Sequence, residues 1–170
     1  MNWVQGLVCV LIGAVLILGV RNLVSARNQP IPPPAETLEW SIAQAAGETG
    51  VPQDILTRLL ISESGLDPDA EGQLNPDGSR DLGIAQLSSR YIEWFAMKYG
   101  EGSLNPFDYR EAVPVAARYL ADLYKLFGCW TCAVGAYKVG PTKWAKSTGV
   151  WTEALNATLY RVAGHHSCGK

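Results

Sequence analysis

The stretch from Ser62 to Arg90, SESGLDPDAEGQLNPDGSRDLGIAQLSSR, constrains this chain more than any other. It puts a carboxylate at the end of an apolar helix and follows it with residues that turn the chain back on that helix end. The segment leading into it, VPQDILTRLLISESG, reads as a helix. Pro52 suits the first turn, where its missing N–H costs nothing. Ile55, Leu56, Leu59 and Leu60 recur as a core-facing stripe, and Gly65 is a suitable stop. Glu63 lies seven residues after Leu56, four after Leu59 and three after Leu60, so it points with the buried stripe. Burial disfavours a carboxylate there, and so does the negative end of the helix dipole. Both predict a raised pKa, as a general acid near neutral pH requires.

Asn75-Pro76-Asp77-Gly78-Ser79 is dense in turn formers, with Asp-Gly the strongest signal. The residues after it, Arg80 to Leu87, read as a short hairpin that leads into another helix at about Ser88. The hairpin carries a second carboxylate, Asp81, eighteen residues beyond Glu63. Asp81 has two readings, a catalytic partner or a turn-stabilising carboxylate. The run NPDGSRDLGIAQLSSR resembles the active-site hairpin of the lysozyme superfamily. The Glu63-Ser64-Gly65 opening and the Gly83-Ile84-Ala85-Gln86-Leu87 step are similar to the transglycosylase SLT family. The resemblance implies a helix-terminal Glu facing a hairpin across a sugar-binding cleft. Glycosidic cleavage needs one carboxylic acid to protonate the leaving oxygen and a second group to stabilise or trap charge at the anomeric carbon. By resemblance Glu63 is the acid and Asp81 the candidate second carboxylate. Ser64, Gly83 and Gln86 are implied substrate contacts, Gln86 through a hydrogen bond and Gly83 through close backbone approach.

A second motif is Ala133-Val-Gly-Ala-Tyr-Lys-Val-Gly-Pro141. It resembles the Ala-Tyr-Asn-x-Gly element of SLT transglycosylases, with Tyr137 and Gly140 matching. Lys138 stands where Asn is usual and adds a positive charge. Animal-type lysozymes lack this element, so it moves the resemblance toward the bacterial and phage family. Tyr160, in the last helix, matches a family Tyr that reaches the catalytic Glu.

The remaining pattern is helical. Glu36 to Thr49 reads as the first domain helix, Ser88 to Tyr99 as another, Tyr109 to Phe127 as a long one and Gly149 to Ala163 as the last. The stripe Tyr91, Trp94, Phe95 and Lys98 reads first as core, with Trp94 a possible sugar stacker. The expected fold is mostly α, of α+β lysozyme-like type with a small β-hairpin. It spans residues 36–164, before a tail at 165–170.

Residues 1–26 read as a membrane anchor or signal segment, and 27–35 as a proline-rich linker. The run Trp3 to Val20 holds eighteen residues with no charged side chain, just enough to span a bilayer. The start lacks Lys and Arg and the run exceeds a usual signal core, which favours a retained anchor. Arg21 and Arg27 follow the span, and the positive-inside tendency would then hold the domain in the cytoplasm. A wall-cleaving domain needs the opposite placement.

A net charge of −2 and the lack of a basic stripe argue against nucleic acid as partner. Cys9 lies in the apolar run and reads as a small apolar residue. Cys129-Trp-Thr-Cys132 has no βαβ context, which argues against redox chemistry. With His165, His166 and Cys168 it offers enough ligands for zinc; a disulfide from Cys168 to Cys129 or Cys132 is more plausible than zinc in an oxidising compartment, and free thiols are the third reading. No metal or cofactor is expected.

The resemblance covers Leu38 to Ala163 and implies a peptidoglycan-cleaving lytic transglycosylase. It would break the β-1,4 bond between N-acetylmuramic acid and N-acetylglucosamine and leave 1,6-anhydro ends. Two rivals stand beside it. One is a lysozyme-type hydrolase in which Asp81 assists. The other is a non-catalytic wall-binding component of a virion, secretion or conjugation assembly. The expected partners are glycan strands and, through the N-terminal segment, the membrane. The expected location is membrane-anchored, facing the cell wall.

Overall fold

The computed structural model describes residues 36–100, 102–147 and 153–164. All of them fall in one unit that begins at Glu36. The apolar run Trp3 to Val20, the proline-rich linker and the tail with Cys168 lie outside the described residues. Among the described residues, no helix is long and apolar enough to cross a membrane.

Seven α-helices and one short β pair make up the described part. Helix α1, Leu38–Thr49, starts where the Thr37 hydroxyl accepts the Trp40 N–H at 3.2 Å. Helix α2, Gln53–Ser64, follows Pro52 and ends at Gly65. Strands β1, Asp81–Leu82, and β2, Leu87–Ser88, pair antiparallel, and a 3-10 turn at Ser89–Tyr91 leads into α3, Ile92–Tyr99. Then come α4, Tyr109–Phe127, α5, Trp130–Val139, α6, Pro141–Lys146, and α7, Glu153–Ala163. The expected bounds of α4 hold to the residue. Helices α5 and α6 have no counterpart in the expected pattern, because Gly135 and Pro141 interrupt a helical reading there.

Helix α4 is the hub, packed against α1, α3 and α5, while α2 packs against α1 and α7. The stripe on α2 behaves as its spacing dictates: Ile55, Leu56, Leu59 and Leu60 are all buried. Each contributes about 1.5–3 kcal/mol of transfer free energy. They meet Ile84 of the turn between the strands, Leu87 of β2 and Leu120 of α4 in one core. The apolar stripe thus fixes how α2 is rotated, and Glu63 goes where the stripe takes it.

The hairpin region contains two turns where the sequence showed one. The Asp77-Gly78 turn is present: the Asn75 N–H donates to the Ser79 carbonyl at 2.7 Å. The Asp77 carboxylate accepts from the Ser79 N–H and hydroxyl, at 3.0 and 2.6 Å, and from Arg90 at 2.7 Å. These bonds, the Ser79 hydroxyl first, hold its pKa below the usual carboxylate range. The ordered strand pair, however, closes around Gly83–Gln86, with Asp81 opposite Ser88 and Leu82 opposite Leu87. Strand β1 is held on its other edge by residues 70–72: the Gly72 N–H donates to Asp81 and the Gly83 N–H to Ala70, both at 2.8 Å. Ser88 therefore belongs to a strand, and regular α-helix starts at Ile92.

Gly83 has φ +68° and is buried. A Cβ there would stand 1.7 Å from the Pro106 carbonyl oxygen. Gly78 has φ +81° with open space around the same position. Gly83→Ala is expected to destabilise the fold by about 3 kcal/mol or more, because rigid backbone must move. Gly78→Ala should cost about 1–2 kcal/mol, the penalty of the left-handed conformation alone. Urea denaturation of the two variants checks the difference.

Candidate active site

Glu63 ends α2 at the floor of a cleft of about 620 Å³. Its side chain is only 14% exposed, and its Oε1 accepts a hydrogen bond from Lys138 Nζ of α5 at 2.9 Å. Burial, the largest influence, raises the Glu63 pKa; the Lys138 charge and hydrogen bond pull it back, and the nearby Asp81 carboxylate raises it again. The burial inferred from helical spacing is therefore present. The cation opposing it could be read only as an extra charge in a motif, because the two residues lie 75 positions apart.

The turn Gly83–Gln86 forms the other side of the site, and its carbonyls are bonded one after another. Gln86 donates to the Gly83 carbonyl through its backbone N–H at 3.1 Å and its side-chain amide at 2.9 Å. Ser64 Oγ donates to the Ile84 carbonyl at 2.8 Å. Tyr137 Oη donates to the Ala85 carbonyl at 2.8 Å. Ile84 and Ala85 are fully buried, so these acceptors have little access to water. Gln86 itself takes a positive φ of 48° to close the turn.

The expected site residues thus fall into distinct places. Glu63, Asp81, Gln86 and Tyr137 all line the cleft. Ser64 and Gly83 do not line it; the Ser64 hydroxyl ties α2 to the turn, and Gly83 makes room for Pro106. Tyr160 is 56% exposed on α7 and also lies outside the cleft lining. Asp81 feels both burial, which raises its pKa most, and the charge of Asp77; a hydrogen bond from Asn75 acts the other way. Tyr137 is held neutral, its pKa well above the usual phenol value through burial first and the Glu63 charge second.

Aromatic side chains build one wall. The stripe expected as core divides: Phe95 is buried, with Tyr99 beside it, and Lys98 is exposed, whereas Tyr91 and Trp94 are 53% and 45% exposed; Tyr91, Trp94 and Phe95 line the cleft with Tyr119. Trp94 meets Phe95 edge-on at 5.1 Å between centroids and Tyr99 at 5.5 Å. Lys98 Nζ lies 5.1 Å from its ring centre. Such packing holds the ring in place at the cleft wall, where its exposed part is a surface for a sugar ring to meet. Thr142 and Lys143 line the cleft on the α6 side. Tyr91 stands in a stripe that reads as core, and Tyr119, Thr142 and Lys143 carry no local signal of a site; only the fold brings them to the cleft that holds Glu63.

Cys129 and Cys132 are both disulfide-bonded. Among the described residues no group of three or more His, Cys, Asp or Glu could hold a metal ion. The cleft brings together a buried carboxyl, a second carboxyl, a cation and an aromatic wall. That set can donate a proton to a bound neutral polymer and shield a developing positive charge.

The family model described as the transglycosylase SLT domain matches residues 41–153. The chain is also 35% identical, over 98 residues, to the protein called invasion protein IagB from Salmonella typhimurium and from Salmonella typhi. The match covers 57% of this chain and spans 60% of the length of those curated relatives.

Removing the Tyr137 hydroxyl would leave the Ala85 carbonyl buried without that donor. Tyr137→Phe is expected to lower stability by about 1–3 kcal/mol and to speed amide exchange across residues 83–88. Urea denaturation and hydrogen exchange measure the two effects.

Proposed function

The chain belongs to the transglycosylase SLT domain family, and from that premise we propose that it cleaves peptidoglycan as a lytic transglycosylase. The observation that carries the reading is Glu63, buried at the floor of an aromatic-walled cleft. In its acid form Glu63 protonates the glycosidic oxygen between N-acetylmuramic acid and N-acetylglucosamine. The bond from that oxygen to the anomeric carbon breaks, and the substrate's own N-acetyl group assists at that carbon. Glu63, now a carboxylate, takes the proton from the sugar's 6-hydroxyl, whose oxygen closes onto the anomeric carbon. The product is a 1,6-anhydro sugar, and Glu63 ends as it began. Burial favours the acid form that the first step needs. Gln86 and Tyr137 keep the turn rigid beside the reacting bond, and Tyr91 and Trp94 offer ring faces to the glycan.

A second reading is favoured by Asp81, which lines the same cleft close enough for its charge to act on Glu63. It is hydrolysis, with Asp81 stabilising or trapping the anomeric centre and water as final acceptor.

The uncharged run Trp3 to Val20 and the prolines that follow it support a domain tethered to a membrane, and the proposed substrate requires that domain to face the wall. A small tethered domain suits local opening of the wall for a larger virion, secretion or conjugation assembly, a reading by analogy.

The test is mass spectrometry of muropeptides released from purified peptidoglycan by the full chain in detergent. Products ending in 1,6-anhydro sugar, lighter by one water, are expected; reducing ends would establish the Asp81-assisted hydrolysis instead. Glu63→Gln should lower release by about 100-fold or more. Release that survives this substitution would remove Glu63 from the acid's role.

A further inference from the structure

Lys138 and Glu63 form the most enclosed ion pair among the described residues. Their side chains are 15% and 14% exposed. Every other pair there has a partner at least 43% exposed. An ammonium so enclosed needs a partner, and the carboxylate at 2.9 Å supplies one. The same pairing constrains the carboxyl: Oε1 is held toward α5, and the cleft lies beside both groups.

We propose that Lys138 is a positioning residue for the reaction: its ammonium orients the Glu63 carboxyl and sets the pH range over which Glu63 can act as an acid. The inference rests on the role given to Glu63 above. It follows from which groups face that carboxyl. Helix α5 brings Lys138 and Tyr137, strand β1 brings Asp81 with Asp77 behind it, and α4 brings Tyr119 behind Tyr137. Lys143 of α6 shares the cleft lining. Among the described side chains, the charged groups of the helices packed on α2, Glu39 and Glu48 of α1 and Arg161 of α7, are exposed. Lys138 is thus the cation in direct contact with Glu63, while burial and Asp81 push the other way. During turnover the ammonium stabilises the carboxylate left once the leaving oxygen has taken the proton. In the free enzyme it competes with the proton for the same oxygen. Without Lys138, Glu63 holds its proton to higher pH, and its orientation is no longer fixed from α5.

The test compares the full chain with Lys138→Met and Lys138→Arg. Two readouts are taken: the pH profile of kcat/KM on glycan strands, and the carbon-13 NMR titration of the Glu63 carboxyl, assigned with Glu63→Gln. In Lys138→Met the alkaline limb and the Glu63 titration should both move up by about one pH unit or more, as expected for loss of an adjacent opposite charge. Lys138→Arg should keep both near the parent chain. A folded Lys138→Met chain whose limb and titration stay in place overturns the proposal, since a purely structural lysine would lower the profile without shifting it. Should Lys138→Met fail to fold, Lys138→Gln carries the same comparison. If no variant cleaves glycan at any pH, the NMR titration still decides the effect of Lys138. The failure then belongs to the transglycosylase reading.

Discussion

A turn buried in a protein core must find donors for its carbonyls, and the Gly83–Gln86 turn finds them in three different places. Gln86 serves Gly83 from within the turn, Ser64 serves Ile84 from the end of α2, and Tyr137 serves Ala85 from α5. Each net hydrogen bond is worth about 1 kcal/mol, but each buried acceptor left alone would cost about 1–3 kcal/mol. The turn is therefore stable only where α2, β1–β2 and α5 already meet. That requirement places the cleft: Ser64 is the residue after Glu63, and Tyr137 is the residue before Lys138. Satisfying the turn brings together a carboxyl and a cation that lie 75 positions apart in the chain.

Glu63 then experiences opposed forces of comparable kind. Its helix is rotated by the stripe from Ile55 to Leu60, which commits the last turn to a low-dielectric setting. Asp81 adds repulsion, and Lys138 adds attraction. Burial alone would favour a neutral acid with no fixed direction. An ion pair alone would favour a well-oriented carboxylate reluctant to take a proton. Both forms occur in a cycle where one carboxyl first gives and then accepts a proton, so a site balanced between them fits that cycle.

Much of this was legible in the sequence because it depends on local period and turn chemistry. The apolar stripe of α2, the stop at Gly65, the Asp77-Gly78 turn and the bounds of α4 follow from spacing. Burial of Glu63 followed in the same way. What spacing could not reach was pairing over long separations. Nothing near Lys138 in the chain marks Glu63 as its partner, and nothing near Gly83 marks Pro106 as the neighbour that excludes a side chain. The second turn was missed because Asp-Gly is the stronger local signal, whereas Gly83–Gln86 closes through tertiary bonds. The aromatic stripe of α3 was read as one face. Only Phe95 of that stripe is buried, while Tyr91, Trp94 and Lys98 remain open to solvent.

A motif that looks like a binding motif can be the frame of a site rather than its contact surface. Ser64 and Gly83 stand in the most distinctive part of the sequence, yet neither lines the cleft. Their residue types are dictated by a carbonyl to be satisfied and a backbone to be approached. Gln86 and Tyr137 serve the frame and line the cleft as well. Other residues of the cleft wall, Tyr91, Trp94, Thr142 and Lys143, lie outside the two motifs, Tyr91 and Trp94 in a stripe that reads first as core. A frame of this kind tolerates few substitutions, since each member closes a buried bond. The open wall is bound by no such rule. On the proposed reading the frame fixes Glu63; Gln86 and Tyr137 belong to frame and cleft alike, and Tyr91, Trp94, Thr142 and Lys143 are the cleft residues whose change breaks no bond of the turn.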